Sequence, residues 1–238
     1  MIYFIGDTHG DFGELANKLA VRGIRDSQLV QVGDFGLGFG NKNEEELNLK
    51  TLNKTLKTGN NLLYVIRGNH DDPSYFATWE KIGNIRLVPD YSVLELGGYN
   101  VLLVGGAISI DRNSRIQGKD YWKEEEFIFD PDKLDVALNE IQRVDIVVTH
   151  TAPNEFWPFD LGNLVRAYAR QDVNLISDLA KERELHSILL KYITNKYAPP
   201  HWYYGHFHTT NNGEYSGIKY FALGEAEIRE HIGGTIVN

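Results

Sequence analysis

Short apolar runs alternate with helical patterns along the first part of the chain. Runs over residues 2–5, 29–32 and 62–66 have the length and composition of buried strands. Two helices are predicted between them, over residues 12–20 and 44–58, because leucines recur there at helical spacing. This alternation indicates βαβ units and a largely parallel sheet.

After residue 85 the pattern changes to short strands joined by tight turns. The predicted strands cover residues 85–88, 92–96 and 100–104, with Pro89-Asp90 and Gly97-Gly98 between them. Closely spaced strands with such turns favour an antiparallel portion or a second sheet.

The last part of the chain combines two helical patterns with further strands. Apolar stripes predict helices over residues 132–143 and from 172 to about 195. His186 lies off the second stripe and is predicted to be a solvated surface histidine. Residues 151–160 are predicted to form a loop. Four more strands are predicted, over residues 145–149, 202–204, 215–218 and 234–237.

Composition narrows the functional classes. The 238 residues are 42% hydrophobic and 24% charged, which is typical of a globular protein, and we expect one domain over residues 1–238. The chain has no cysteine, so any metal must be held by nitrogen and oxygen ligands, and a cytoplasmic location is predicted. A net charge of −9 argues against extended duplex nucleic acid as a partner. No apolar run approaches the roughly 20 residues that a membrane span needs, so no membrane partner is expected.

Five predicted strands end in side chains that can bind metal ions. In an α/β sheet, residues beyond the carboxyl ends of the strands converge in space. Carboxylate, amide and imidazole ligands suit Mn, Fe, Zn or Ni better than calcium. The number of such side chains at the strand ends exceeds what one ion needs and fits two ions that share a bridging carboxylate. The residues are Asp7 and His9, Asp34, Asn69 and His70, His150, and His206 with His208.

The motifs at these strand ends resemble the ordered motif set of the calcineurin-like metallophosphoesterases. The resemblance spans residues 6–208 and implies an α/β fold of mixed α+β type. That fold is a four-layer sandwich of two central mixed β-sheets flanked by helices, with a dinuclear metal site at the C-terminal ends of the strands. The matching motifs are Gly6-Asp7-Thr8-His9-Gly10, Gly33-Asp34, Gly68-Asn69-His70-Asp71, Val148-Thr149-His150 and Gly205-His206-Phe207-His208.

The resemblance also implies a role for each residue. Asp34 would bridge two divalent or trivalent ions, and a metal-bridging hydroxide would attack phosphorus in a phosphate-ester substrate. Asn69 and His70 would contact the phosphate, and His70 would protonate the leaving oxygen. One ion would be held by Asp7, His9 and His208, and the other by Asn69, His150 and His206.

One motif departs from the pattern of the Ser/Thr protein phosphatases and dinucleoside tetraphosphatases. Those branches continue Gly-Asp-x-x-Asp-Arg-Gly, whereas this chain has Leu37 and Gly38 where the second Asp and the Arg would be. The carboxylate that would orient His70 and one phosphate-binding arginine are therefore missing. Asp71 or Asp11 is a candidate to orient His70; without such a partner, leaving groups that need no proton should be hydrolysed best.

An arginine elsewhere in the chain is expected to replace the missing phosphate clamp. Arg112 follows an apolar run, and a guanidinium group matches phosphate oxygens. The alternative is an ion pair of Arg112 with Asp111 or a nearby glutamate. Arg115, Arg166 and Arg170 are further candidates. Phe156 and Trp157, in the 151–160 loop, fit either packing of that loop or stacking on a base or aryl group.

These observations predict a metal-dependent phosphoester hydrolase. A phosphatase of the Ser/Thr-phosphatase-like type or a small phosphodiesterase is favoured. A nuclease or cyclic-nucleotide phosphodiesterase is the alternative, followed by a non-catalytic module that binds metal. The sequence does not discriminate between oligomeric states.

Overall fold

The computed structural model describes residues 1–158 and 162–233. The strand predicted over residues 234–237 and the end of the predicted 151–160 loop lie outside the described residues. Within the described part, no helix is long and apolar enough to cross a membrane.

Twelve strands and five α-helices make up the described fold. The strands are β1 (Ile2–Ile5), β2 (Gln28–Gln31), β3 (Leu62–Val65), β4 (Glu80–Ile82), β5 (Ile85–Leu87), β6 (Ser92–Leu96), β7 (Tyr99–Val104), β8 (Ile146–Thr149), β9 (His201–Tyr204), β10 (Asn211–Tyr215), β11 (Ile218–Ala222) and β12 (Ile228–Glu230). The helices are α1 (Phe12–Val21), α2 (Lys42–Thr58), α3 (Pro131–Leu138), α4 (Asn163–Ala169) and α5 (Leu175–Thr194).

The strands form two mixed six-stranded sheets, which confirms the predicted fold. The first sheet has the order β12-β1-β2-β3-β5-β4, with β1, β2, β3 and β5 parallel and antiparallel strands at both edges. The second has the order β10-β11-β9-β8-β7-β6, with a parallel centre from β11 to β7. Parallel central strands point the carboxyl ends of β1, β2 and β3, and of β7, β8 and β9, toward one edge of each sheet.

Apolar packing holds the two sheets face to face. Phe4 of β1 stacks on Tyr203 of β9, with ring centroids 3.7 Å apart, and both side chains are buried. The outer face of the first sheet is covered by α1 and α2, and that of the second by α3 and α5. Because both faces of each sheet are covered, the central strands carry near-continuous apolar runs, as the sequence shows.

The structure shortens one predicted helix. The apolar pattern predicts a helix over residues 132–143, but α3 begins at Pro131 after the N-cap Asp130 and ends at Leu138. Ile141 still packs against the core of the second sheet, although it lies beyond the helix. Its own amide donates a hydrogen bond to the Leu138 carbonyl oxygen and closes a turn. The spacing of apolar residues indicates which side of a segment is buried, but a turn can bury the same side, so the spacing alone does not show where a helix ends.

His186 is buried, and its predicted position on the surface is wrong. Its side chain is fully buried in α5, its Nδ1 lies 3.0 Å from the Glu182 carbonyl oxygen, and its ring lies 3.9 Å from that of Phe127. Glu182 is buried on the same face, where its carboxylate accepts a hydrogen bond from the Ile108 amide at 2.7 Å. The buried stripe of α5 therefore includes two polar residues, which a purely apolar pattern cannot identify.

Candidate metal centre and adjoining cavity

The metal-binding side chains predicted from sequence converge between the two sheets. Loops after β1, β2 and β3 carry Asp7, His9, Asp34 and Asn69, and loops after β8 and β9 carry the remaining histidines. Two groups of ligand atoms each lie within 4.8 Å of one another, and Asp34 belongs to both. The groups are Asp7, His9, Asp34 and His208, and Asp34, His150 and His206.

The first group contains one carboxylate and two imidazoles besides Asp34. The Nε2 atoms of His9 and His208 are 2.9 Å apart, and His208 Nε2 lies 3.4 Å from Asp7 Oδ2. His9 Nε2 lies 3.9 Å from Asp34 Oδ2. Possible metal-ligand atoms from three different loops thus lie close together.

The second group gains an amide oxygen. Asn69 Oδ1 lies 2.9 Å from His206 Nδ1 and 3.2 Å from His150 Nε2. His150 Nε2 is also 3.1 Å from Asp34 Oδ1. On its other side, His150 Nδ1 lies 2.9 Å from the Val32 carbonyl oxygen, which can only accept a hydrogen bond, so Nδ1 is the donor. That contact directs Nε2 into the group, as in histidines that bind metals.

The backbone at four of these residues has an uncommon conformation. His9, Asp34, His206 and His208 have φ values of 46°, 55°, 68° and 50°. Residues other than glycine rarely adopt positive φ, and such residues cluster at functional sites. The strand ends are therefore bent so that these side chains turn toward the groups.

Two glycines allow the carboxylates to approach neighbouring backbone. A Cβ atom on Gly68 would lie 2.1 Å from Asp34 Oδ1, and one on Gly205 would lie 2.1 Å from Asp7 Oδ1. Either contact is far shorter than van der Waals distance, so only glycine fits at these positions. Steric contact with the two carboxylates thus explains why the motifs have glycine at positions 68 and 205.

The electrostatics of the cluster fit a site for cations. Burial, followed by the charge of Asp34, raises the pKa of Asp7 well above its usual value, although His150 opposes the shift. Asp7 Oδ1 is buried and has no hydrogen-bond partner among the described residues. Burial lowers the pKa of His9 to about 4 and also lowers that of His206, so both imidazoles are neutral near pH 7, which is the form that can bind a metal ion.

Asp34 is the most strongly ionised carboxylate of the cluster. Burial alone would raise its pKa, but His150 and His70 hold that pKa well below its usual value. For His150, burial opposes the charge, while Asp34 raises its pKa to about 9. A proton on His150 Nε2 therefore lies between Asp34 and Asn69, at a position where a metal ion would use the same lone pair. The donor set fits two cations that share Asp34.

His70 is held by Asp34 and Arg115. Its Nδ1 lies 2.7 Å from Asp34 Oδ2, and its amide donates to Asp34 Oδ1 at 2.8 Å. Its Nε2 is 2.5 Å from Arg115 Nη2. Because the guanidinium only donates, Nε2 is the accepting nitrogen and Nδ1 carries the proton toward Asp34.

The two acidic residues expected to orient His70 have other partners. Asp71 is fully buried and accepts hydrogen bonds from the amides of Phe35, Gly36, Leu37 and Gly68. It ties the loop after β2 to the loop after β3. Asp11 is the N-cap of α1, where it accepts from the Glu14 amide at 2.8 Å. Within the described part of the chain, the carboxylate that contacts His70 is that of Asp34.

The structure places Arg112 away from the cluster. Its Nε lies 2.6 Å from Asp172 Oδ2, its Nη2 lies 2.5 Å from Asp178 Oδ2, and these partners raise its pKa. It pairs with these two acids far along the chain, and its Nη1 also lies 3.7 Å from Glu126 Oε1, so a glutamate is among its partners as the alternative expected. Asp111 contacts Arg115 instead, at 2.7 Å. Arg112 is thus bound to carboxylates at the start of α5, and the expectation that it clamps phosphate is not supported by its position.

Arg115 lies at the cluster instead. Besides His70, its guanidinium contacts the Ser109 hydroxyl at 3.1 Å and lies 5.2 Å from the ring centroid of Phe39. Ser109 Oγ also accepts from the Asn69 amide group at 3.1 Å. Sequence reasoning ranked Arg115 below Arg112 and did not consider Ser109 or Phe39. The available signal was the position of these residues in the chain. Phe39 lies in the loop after β2, and Ser109 and Arg115 lie in the loop after β7, so they leave the sheets at the same edge as the loops that carry the candidate ligands.

A cavity of about 390 Å³ opens from the cluster. Asp34, Asn69, His70, His206 and His208 line one end of it, and Arg115 lies beside them. Trp157 also lines the cavity, whereas Phe156 is buried in the core of the second sheet. Of the two aromatic residues in the 151–160 loop, Phe156 packs the loop and Trp157 faces the cavity.

Comparisons with known proteins agree with the fold. Residues 1–210 match the family model described as calcineurin-like phosphoesterase. The protein TT1561 of Thermus thermophilus has a similar structure, with a TM-score of 0.54 and 14% identity over 94% of this chain and 89% of that one. A putative 5'-nucleotidase from Staphylococcus aureus gives a TM-score of 0.50 and 13% identity over 95% of this chain and 49% of that one. At these identities the two structures show the fold alone. No curated protein shows a significant sequence match. The match over residues 1–210 shows that the chain belongs to the calcineurin-like phosphoesterase family.

Proposed function

We propose that this protein is a metal-dependent hydrolase of small phosphate esters, of phosphatase or small phosphodiesterase type. The observation that carries the proposal is the pair of ligand groups that share Asp34 at the edge of both sheets. Asp7, His9 and His208 would hold one ion, Asn69, His150 and His206 the other, and Asp34 both. When bound, the two ions would supply positive charge for the phosphate oxygens and would acidify a water molecule.

The protein's own groups would position the phosphate between the ions and Arg115. Arg115 offers donors next to His70 and the Asn69 side chain, and Asp111 and Ser109 hold its guanidinium in place. Donors fixed before the substrate binds stabilise developing negative charge without reorganisation. We therefore assign the phosphate clamp to Arg115 instead of Arg112.

His70 is proposed to orient Arg115, which would contact the phosphate, and not to protonate the leaving group. Its proton is on Nδ1 beside Asp34, and its Nε2 accepts from Arg115. In that arrangement Nε2 has no proton to donate to a leaving oxygen. Esters with acidic leaving groups, such as aryl esters, are therefore the preferred substrates.

Polymeric nucleic acid is not the proposed substrate. The chain carries a net charge of −9, and the cavity beside the cluster has a volume in the range of small-molecule sites. A nuclease would need a basic surface that tracks the phosphate backbone. The nuclease hypothesis would be revived by cleavage of single-stranded oligonucleotides at a rate comparable with that of aryl esters.

The central test is a metal-reconstitution assay. Chelator-treated protein would be loaded with Mn²⁺, Fe²⁺, Zn²⁺ or Ni²⁺ and assayed with p-nitrophenyl phosphate and bis-p-nitrophenyl phosphate. We expect turnover with at least one metal and its loss in Asp34→Asn. Asp145→Asn is the matched control, because Asp145 is also a buried, paired carboxylate but lies at the opposite end of β8. Absence of turnover with every metal, or equal activity in both variants, would disprove the proposal.

A second measurement tests the role of His70. Rates for aryl phosphates would be plotted against the pKa of the leaving phenol, for wild type and His70→Asn. We expect a steep dependence in both proteins, because neither supplies a proton from this position. A shallow dependence in wild type that becomes steep in the variant would show that His70 is the proton donor.

A further inference from the structure

The cavity beside the metal cluster has two chemically different ends. Its polar end holds metal ligands, His70 and Arg115. Asp111, Gly162 and Arg183 also line the cavity, and the rest of its lining among the described residues, here called the apolar end, consists of six apolar side chains from the loop after β7, the loop after β8, α4, α5 and the loop after β9. They are Ile110, Trp157, Leu164, Val165, Leu179 and Phe207.

The apolar end is supported by packing of its own. Leu179 is buried and forms a small core cluster, against which Ile110 and Val165 pack. Trp157 is fixed by Phe207, whose ring makes an edge contact at 4.6 Å, and by the Arg183 guanidinium 4.7 Å from its centroid. These contacts give the wall a defined shape before any ligand enters.

Leu164 stands out because it is exposed. It lines the cavity from α4, yet 62% of its surface is accessible to solvent. A ligand in the cavity would remove part of this apolar surface from water, which favours binding. A sugar or other hydroxylated group would instead lose hydrogen bonds to water against a wall of apolar atoms.

We infer that this cavity is the specificity pocket of the enzyme and that it takes the apolar organic arm of a phosphate ester. The inference rests on the proposed function, because the phosphate of the same ester would occupy the metal end. The preferred substrate class is an aryl phosphate with an alkyl or aromatic extension. The volume of about 390 Å³ lies within the range of small-molecule sites and accommodates such an arm.

A substrate series can measure the pocket with little change in the chemistry. The 4-methyl-, 4-propyl- and 4-pentylphenyl phosphates have nearly equal leaving-group acidity but differ in apolar length. We expect kcat/KM to rise by up to about fourfold per added methylene, mainly through KM, until the cavity is full. A 4-(2-hydroxyethyl)phenyl ester should be about tenfold poorer than the propyl ester of similar size.

Paired variants test whether Leu164 contributes to the pocket. Leu164→Gln should raise the ratio of KM for the pentyl ester to KM for the methyl ester about fivefold. Leu47→Gln is the matched control, because Leu47 is 65% exposed on α2 and is not among the residues that line the cavity. Both changes affect exposed helical leucines, so neither should unfold the protein.

Binding of non-hydrolysable analogues separates this inference from the proposed function. Calorimetry would measure the affinity of Mn²⁺-loaded protein for 4-methyl-, 4-propyl- and 4-pentylbenzylphosphonate. Affinity that rises with chain length in wild type and Leu47→Gln, but less in Leu164→Gln, supports the pocket even if no ester is hydrolysed. Affinity independent of chain length, or an equal gain in Leu164→Gln, overturns it whatever the turnover.

Discussion

Replacement of Asp71 by asparagine should destabilise the protein strongly although the two side chains have the same shape. Asp71 Oδ1 accepts from the amides of Gly36 and Leu37 at 2.7 and 3.0 Å, and Oδ2 accepts from Phe35 and Gly68 at 3.2 and 2.8 Å. Asparagine has one oxygen, so its amide group would face two N–H donors in either orientation. Two hydrogen bonds to a charged acceptor would be lost.

The expected magnitude follows from those two bonds. A hydrogen bond to a charged group contributes about 1.5–3 kcal/mol, so two contribute at least about 3 kcal/mol. Burial, and then the charge of Asp34, raise the pKa of Asp71, so removing its charge recovers part of this loss. We therefore use the lower bound of about 3 kcal/mol. With a urea m-value of about 3 kcal/mol/M for a chain of this size, the unfolding midpoint should fall by about 1 M.

Urea unfolding of chelator-treated protein provides the assay, because bound metal would add its own stabilisation. Asp72→Asn is the control: Asp72 caps the short helical turn at Pro73–Phe76 by accepting from the Ser74 amide, and asparagine caps equally well. Its midpoint should match wild type. If Asp71→Asn and Asp72→Asn unfold at the same urea concentration, the role of Asp71 as the acceptor of four stabilising hydrogen bonds is refuted.

Three further predictions concern the arginines, a buried glutamate and the metal ligands. Arg115→Ala should lower kcat/KM for an aryl phosphate about 100-fold through lost phosphate contacts, whereas Arg112→Ala should lower the melting temperature and leave kcat/KM near wild type; equal kinetic effects would contradict this. Burial raises the pKa of Glu182 to about 8, so folding takes up a proton here and stability falls as pH rises from the unfolded pKa toward 8. Glu182→Gln should therefore gain stability over wild type between pH 5 and pH 8 in urea unfolding, and a constant difference would argue against it. By elemental analysis, Asp34→Asn should lose most of both ions and Asn69→Ala mainly one, and equal losses would argue against a shared Asp34.

Much of the fold and of the candidate metal centre could be predicted from the strand ends. A buried parallel strand needs apolar residues on both faces, so a polar residue such as Asp34 directly after such a run stands out. Helices α1 and α2 followed from leucine spacing within two residues at each end. The end of α3 did not, because Ile141 keeps the apolar spacing from within a turn.

The partners of individual polar side chains could not be read from spacing. Arg112 and Arg115 are three residues apart in similar sequence surroundings, yet one reaches carboxylates of the α5 segment and the other reaches His70. His186 looked solvated because it interrupts an apolar stripe, but α5 buries it beside Glu182. Which partner a long side chain meets depends on elements far along the chain.

The sequence by itself thus determined the eight strands β1–β3 and β5–β9, the loops that carry the candidate ligands and the chemistry of that ligand set, because each of these follows from local patterns of apolar and polar residues. The tertiary structure placed Asp34 in both groups, as the resemblance implied, and it alone decided that Asp71 serves the backbone and not His70 and that an apolar cavity adjoins the cluster. The physical reason is the separation along the chain of the residues that determine each feature. Strand formation and turning depend on neighbours in sequence, whereas a shared carboxylate or a cavity wall depends on distances between segments that meet only when the two sheets pack.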